Sequence, residues 1–135
     1  MAHAPERAGE AELTGRCNCG RVTFRARGPF RDAWGCHCKT CRRQSGHFLA
    51  ATQTDRAGVT IAGEDDLVWY AASNMATRGF CRACGAHIFW KPTEPGRISI
   101  LMGALDEPTG IRLALHIHAA EKGDYYDICD GLPQR

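Results

Sequence analysis

Seven of the eight cysteines in this 135-residue chain fall into three tight groups, and Cys129 stands apart from them. Two thiols that are two or three residues apart can bind one metal ion from a single turn. The grouping therefore constrains the chain to a fold that brings such turns together. The groups are Cys17-Asn18-Cys19-Gly20, Cys36-His37-Cys38-Lys39-Thr40-Cys41 and Cys81-Arg82-Ala83-Cys84-Gly85.

The last group has the form of a zinc knuckle, because Gly85 permits the positive φ that turns backbone N–H groups toward the sulfurs of Cys81 and Cys84. One knuckle supplies two ligands, whereas a structural zinc takes four. Cys17 and Cys19 are the natural second pair, since a glycine follows them too. We predict a structural zinc on these four cysteines, which closes a loop of roughly 60 residues. The alternative is a redox dithiol at Cys81 and Cys84.

The middle group, Cys36, Cys38 and Cys41, places three thiols within six residues. A strand that leads into a helical turn can aim all three at one point. Three protein ligands leave a fourth position open, which is typical of a catalytic zinc. The alternative is that a fourth ligand closes the site. The candidates for that ligand are Cys129, His37, His47 and His87.

The charge balance argues against nucleic acid as a partner. Lys and Arg total 17 and Asp and Glu total 15, and no run of five or more basic residues is present. The sequence contains no apolar stretch of about 18 residues, so no transmembrane helix is expected. Its first residues lack the apolar run of a secretory signal. We therefore expect a cytoplasmic protein, where clustered thiols bind metal more often than they form disulfides.

Short strands separated by turn residues dominate the hydrophobic pattern. No window of twelve residues holds a helical period, so we expect an all-β sandwich or a partly open barrel. Residues 1–12 are expected to be a mobile tail, and residues 13–135 a single zinc-binding β domain. We predict strands at 22–27, 47–54, 59–62, 67–71, 86–91, 97–102 and 111–117, and helical turns at 38–44 and 106–109.

The order of the cysteine groups resembles the glutathione-dependent formaldehyde-activating enzyme family, which includes centromere-protein-V-like proteins. The resemblance covers about residues 13–133. It is carried by G-x-C-x-C-G at 15–20, C-H-C-x-x-C-R at 36–42, F-C-x-x-C-G at 80–85, G-x-L-D-x-P at 103–108, and the closing segments at 116–117 and 131–133.

This resemblance implies an antiparallel β-tent fold and two zinc ions per chain. The first would be the structural zinc on the two outer cysteine pairs. The second, more labile ion would lie on Cys36, Cys38 and Cys41, where the family's activity is placed. The family's reaction joins formaldehyde and glutathione into S-(hydroxymethyl)glutathione, a carbon–sulfur lyase reaction run in reverse. The implied partners are a small thiol such as glutathione and an aldehyde.

Glutathione carries two carboxylates, so its pocket should offer cations. The candidates are Lys39, Arg42 and Arg43 beside the middle group, and Arg78 before the knuckle. His47 is a candidate proton shuttle near neutral pH. His37 lies between two ligands, and in an extended segment its side chain points away from the metal side.

Three further expectations concern packing. The three tryptophans are expected in the core, and Cys129 is expected to be a buried free thiol. The alternation in residues 111–117 predicts Leu113 and Leu115 on the inner face of a strand, with His116 and His118 on the polar face.

Two other functions stay open at the sequence level. One is a non-catalytic, zinc-stabilised module that binds a protein or chromatin. The other is a zinc enzyme of the same family with a different substrate. The middle cysteine group favours an enzyme, because a scaffold needs no open metal position. The sequence predicts no oligomeric state.

Overall fold

The computed structural model describes residues 11–135, which form ten strands and one α-helix. Short 3-10 turns occur at Arg56–Gly58, Glu64–Asp66, Met102–Ala104 and Ala119–Glu121. In chain order the longer elements are β1 (Glu12–Arg16), β2 (Thr23–Arg27), β3 (Arg31–Cys36), α1 (Lys39–Ser45), β4 (Leu49–Asp55), β5 (Val59–Ala62), β6 (Leu67–Tyr70), β7 (Ala76–Cys81), β8 (His87–Pro92), β9 (Arg97–Leu101) and β10 (Leu113–Ile117).

The strands form two sheets. The smaller sheet has the order β1-β2-β5, and the larger has the order β10-β3-β4-β9-β8-β7-β6. Within residues 11–135 the neighbouring strands pair antiparallel except at one edge, where β10 runs parallel to β3. The prediction of a mainly β, single-domain chain is confirmed.

The main core lies between the two sheets. Phe24 of the smaller sheet meets Phe89 of the larger sheet edge to face, with ring centroids 5.2 Å apart. Ile98 and Ile100 of β9 are fully buried in the same cluster. Burying one such side chain stabilises a fold by about 1.5–3 kcal/mol. The core also contains Cys17 and Cys81, so the cysteine clusters are continuous with the packed interior.

The ends of strands deliver the cysteine groups. Cys17 follows the last residue of β1, Cys36 is the last residue of β3, and Cys81 is the last residue of β7. Because β1 belongs to the smaller sheet and β7 to the larger one, the first and third groups meet where one end of each sheet comes together.

All seven predicted strands are present, with ends that differ by up to two residues, and the helical turn at 38–44 corresponds to α1. β1, β3 and β7 were not predicted as strands. Their inward faces carry residues that give little apolar signal, among them Gly15, Ala33 and Arg78, which are all buried.

The predicted helical turn at 106–109 is wrong. The backbone N–H of Asp106 donates to the carbonyl of Thr14, and its carboxylate accepts from the Thr14 hydroxyl at 2.7 Å. These bonds fix the segment against β1 in a non-helical form, and the 3-10 turn lies just before it, at Met102–Ala104.

The prediction of a polar face on β10 is confirmed for His118, which is exposed, and is wrong for His116. His116 is 2% exposed, whereas Leu113 and Leu115 are only half-buried. An irregularity in the pairing with β3 between Leu113 and Leu115 changes the alternation. A buried histidine requires hydrogen-bond partners, and those that His116 has are described below.

The predicted tail at 1–12 lies outside the described residues, apart from Ala11 and Glu12, the first residue of β1. No helix in the part of the chain that the structure describes has the length and apolar character needed to cross a bilayer.

Gly15 provides a test of how the sheets pack. A Cβ atom added there would lie 2.3 Å from the carbonyl oxygen of Ala104 and 2.3 Å from the Phe24 ring, whereas one added at Gly103 would meet nothing within 4 Å. Gly15→Ala should therefore lower the free energy of unfolding by about 1–3 kcal/mol. Gly103→Ala is the matched control and should change it little. Denaturant titration of both variants measures the difference, and equal stabilities would contradict the packing described here.

Candidate metal centres

The first candidate site consists of Cys17, Cys19, Cys81 and Cys84. Their four Sγ atoms all lie within 4.8 Å of one another. The Cys17–Cys19 separation is 3.7 Å and the Cys19–Cys81 separation is 3.8 Å. A tetrahedral zinc with Zn–S bonds of about 2.3 Å holds its sulfurs about 3.8 Å apart. The donor set and its spacing therefore fit zinc.

The two turns of this cluster have the local geometry of knuckles. Gly20 and Gly85 adopt φ values of 84° and 77°, as their positions after the cysteine pairs predict. The backbone N–H of Val22 donates to Cys17 Sγ at 3.3 Å, and that of Ala83 donates to Cys81 Sγ at 3.4 Å. Such bonds stabilise thiolates, which are the form that binds metal.

The second candidate site consists of Cys36, Cys38 and Cys41, whose sulfurs also lie within 4.8 Å of one another. Cys38 is the N-cap of α1, and its sulfur accepts from the backbone N–H of Cys41 at 3.4 Å. The strand end and the first helical turn thus aim three thiols at one point. Among residues 11–135, no fourth His, Cys, Asp or Glu joins this cluster.

The second cluster lines a cavity of about 420 Å³, which we call the thiol cavity. This volume lies within the range of about 300–1,000 Å³ that is usual for small-molecule sites. The remaining lining residues are Arg31, Trp34, Leu49, Ala51, Gln53, Arg78, Trp90, Ser99, Ile117 and His118.

Arg78 is the cation nearest to the clustered thiols. It is 7% exposed, and its guanidinium donates to Cys41 Sγ at 3.5 Å and to Gln44 Oε1 at 2.9 Å. A hydrogen bond from Cys36, followed by that from Arg78, lowers the pKa of Cys41 to about 5. The same bond between Cys36 and Cys41 raises the pKa of Cys36.

Arg31 is a second cation of the thiol cavity. Its guanidinium carbon lies 3.8 Å from the centroid of the Trp34 ring. Nη2 donates to the carbonyl of Ala51 at 3.2 Å, and Nε donates to that of Asp32 at 3.2 Å. Burial, followed by the charge of Arg97, lowers the pKa of Arg31 to about 10, so it stays cationic near neutral pH.

The sequence-predicted cations lie elsewhere, except for Arg78. The lining of the thiol cavity does not include Lys39, Arg42 or His47. Lys39 is exposed, Arg42 is half-buried on α1, and exposed His47 packs its ring against Tyr126 with centroids 4.3 Å apart. Their assignment to substrate stays a prediction, whereas the position of Arg31 was missed.

Two tryptophans are not in the core as predicted. Trp34 and Trp90 are half-buried and line the thiol cavity, whereas Trp69 packs against the main core. Cys129 is exposed rather than buried. His87 lies on a second cavity of about 430 Å³, and burial lowers its pKa to about 4.

Comparison with known proteins identifies the class. Residues 12–121 match the family described as glutathione-dependent formaldehyde-activating enzyme. This match covers most of the chain and contains both cysteine clusters. The protein therefore belongs to that family.

One curated relative is an uncharacterized lyase of Schizosaccharomyces pombe, which is 31% identical over 84 residues. The alignment spans 62% of this chain and 60% of the relative, so the chain matches less than two thirds of that protein. A crystal structure of a Rhodobacter sphaeroides protein is similar, with a TM-score of 0.61 at 25% identity. That match covers 70% of this chain and 88% of the other.

The four-cysteine cluster can be tested by removing its most exposed thiol. Cys19→Ser should lower the metal content by one ion per chain and the free energy of unfolding by about 3 kcal/mol or more, because metal binding contributes directly to folding. Cys129→Ser, which removes an exposed thiol outside both clusters, should change neither quantity. Elemental analysis and denaturant titration measure both effects. Unchanged metal content in Cys19→Ser would contradict a metal at this site.

Proposed function

We propose that the protein is a zinc-dependent enzyme of carbon–sulfur lyase type, which joins a small carboxylate-bearing thiol such as glutathione to formaldehyde or a related aldehyde. The observation that carries the proposal is the thiol cavity. It contains three clustered cysteine thiols, two arginines and aromatic walls in one concave space. A module that uses metal only for stability needs no such space beside its ligands.

The structural ion would be held by Cys17, Cys19, Cys81 and Cys84, and the second by Cys36, Cys38 and Cys41. Zinc held by these three thiolates would bind a substrate thiol and favour its deprotonated form. The buried guanidinium of Arg78 offsets part of the negative charge that three neighbouring thiolates would carry.

Arg31 is placed to bind a substrate carboxylate. Stacking on Trp34 and bonds to two carbonyls fix the plane of its guanidinium at the cavity wall. A fixed guanidinium loses little freedom when it binds a carboxylate. Gln53 donates to Ser99 Oγ at 3.1 Å on the same wall, and both can orient polar groups of the substrate. Trp90 and Ile117 complete an apolar surface that displaces water.

The reaction needs no oxidant or reductant. The substrate sulfur forms a bond to the aldehyde carbon, the carbonyl π bond breaks, and the thiol proton ends on the new hydroxyl oxygen. Formaldehyde is already electrophilic, so the contribution of the protein is to hold the two reactants together in the correct orientation.

Metal stoichiometry is the first test of this function. Protein purified without chelator should contain two zinc ions per chain by elemental analysis. Cys36→Ser should contain one and keep the fold, because its four-cysteine cluster is intact. Cys129→Ser is the control and should retain two. One ion per chain in the unaltered protein would refute the proposal.

Exchange NMR on a mixture of glutathione and formaldehyde then tests the reaction. The unaltered protein should raise the exchange rate above the spontaneous rate, and Cys36→Ser should lose the enhancement. If two zinc ions are bound and no enhancement is seen, the named substrates are wrong, although the metal sites stand.

The carboxylate site makes a separate prediction. Arg31→Ala should weaken glutathione binding about tenfold or more, as expected for loss of a charge-assisted hydrogen bond. Arg21→Ala, an exposed arginine in the connection between β1 and β2, is the control. Arg42→Ala decides between the cavity lining and the sequence-based assignment. A larger loss of glutathione affinity in Arg42→Ala than in Arg31→Ala would favour the sequence-based assignment. Calorimetric titration of glutathione measures all three.

A further inference from the structure

Four polar side chains form a continuous hydrogen-bonded series behind the three-cysteine cluster, and we call them the Tyr-His network. The Tyr126 hydroxyl contacts His37 Nδ1. His37 Nε2 lies 2.8 Å from His116 Nδ1, and His116 Nε2 lies 2.7 Å from Asp130 Oδ2. His37 is 0% exposed and His116 is 2% exposed.

One order of donors satisfies all three bonds while both imidazoles stay neutral. The Asp130 carboxylate can only accept, so His116 donates from Nε2 and accepts at Nδ1. His37 then donates from Nε2, and its Nδ1 accepts a hydrogen bond from the Tyr126 hydroxyl. Each ring nitrogen has a partner, which is the condition for burying a histidine without penalty.

The network and the thiol cavity lie on opposite sides of one extended segment. Successive side chains of such a segment point in opposite directions. Cys36 and Cys38 face the thiol cavity, and neither His37 nor His116 lines it. The backbone N–H of His37 also donates to the carbonyl of Ile117 at 3.1 Å. The ring and the backbone of the residue between two thiols are thus both held.

The two outer members of the network, Tyr126 and Asp130, belong to residues 122–135, which we call the C-terminal segment. The match to the family ends at residue 121, before Tyr126 and Asp130. The segment is itself held to β10, since His116 donates its N–H to Pro133 at 2.9 Å and its carbonyl accepts from Arg135 at 2.9 Å. Lys122 Nζ donates to the carbonyl of Tyr126 at 2.6 Å.

From this geometry we infer that the Tyr-His network positions the extended segment Cys36–Cys38 for metal binding. The C-terminal segment is then part of the second metal site. The inference rests on the proposed function, because it requires metal at the three-cysteine cluster. Tyr126, His37, His116 and Asp130 act as positioning residues, since they reach the site through the backbone between the two cysteines.

A three-cysteine site depends on such support more than a four-cysteine site does. Its fourth position carries no protein ligand, so orientation of the three thiols must come from the surrounding structure. Groups that are hydrogen-bonded to metal ligands typically change metal affinity by about 10- to 100-fold. The network acts through the backbone between two ligands, so we expect an effect at the lower end of that range. The four-cysteine cluster of the same chain provides an internal reference that the network does not touch.

Tyr126→Phe and Asp130→Ala test the inference with small changes at the two ends of the network. Tyr126→Phe removes one hydroxyl, and Asp130 is 40% exposed, so neither variant opens a cavity in the core. Tyr125→Phe and Asp127→Ala are matched controls on exposed neighbours. Asp130→Asn is the conservative variant, because its amide oxygen can still accept from His116.

The measurement is competition for zinc with a chromophoric chelator, with the second site assigned by its loss in Cys36→Ser. Tyr126→Phe and Asp130→Ala should release metal from the second site at about tenfold lower chelator concentration. Release from the four-cysteine site and the melting temperature should stay near those of the controls. Asp130→Asn should restore most of the loss. In the cobalt-substituted protein, the absorption bands of the second site should shift in the first two variants only.

Two results would overturn the inference. Second-site retention equal to that of the unaltered protein in both variants removes the role of the network. A parallel weakening of both sites together with a lower melting temperature shows general destabilisation instead. If the unaltered protein binds one metal ion, the proposed function fails as well. Two ions with unaffected variants refute this inference alone.

Discussion

The close approach of the sulfurs of Cys17, Cys19, Cys81 and Cys84 is the constraint on which the rest of the structure depends. Sulfurs about 3.8 Å apart repel as thiolates, and a divalent cation converts that repulsion into attraction. The cluster joins the end of β1, in the smaller sheet, to the end of β7, in the larger one. A metal ion at this junction would support a core that draws on few large aliphatic side chains, in the way that metal sites stabilise small domains.

The two cysteine clusters differ because of what surrounds them. Four thiols, as many as a tetrahedral ion takes, meet at the junction of the sheets, whereas three thiols at the end of β3 and the start of α1 border a cavity. Arg78 is a buried residue of β7, and its guanidinium donates a hydrogen bond to Cys41 on α1 at the edge of that cavity. The positive charge beside the second cluster therefore comes from β7, which lies four positions away from β3 in the larger sheet.

The local parts of the site were predictable from sequence. Spacing alone places two or three thiols on one turn, and the glycines at 20 and 85 have the positive φ that their positions indicate. Beyond the cysteines and Arg78, the lining of the thiol cavity was not predictable, because Arg31, Trp34 and Trp90 meet through the register of separate strands. The same limit applies to His116, whose burial follows from an irregular pairing with β3. The strands β1, β3 and β7 escaped prediction because glycine, alanine and a buried arginine occupy their inner faces.

The side chain of Leu49 lines both cavities of the protein, the one beside the three thiols and the one beside Cys17. Leu49 is a buried residue at the start of β4, and it therefore belongs to the walls of both spaces. The wall beside the thiols of Cys36, Cys38 and Cys41 thus includes an aliphatic side chain that offers no charge and no metal ligand. A shorter side chain at this one position would enlarge the space beside both cysteine clusters without changing any cysteine.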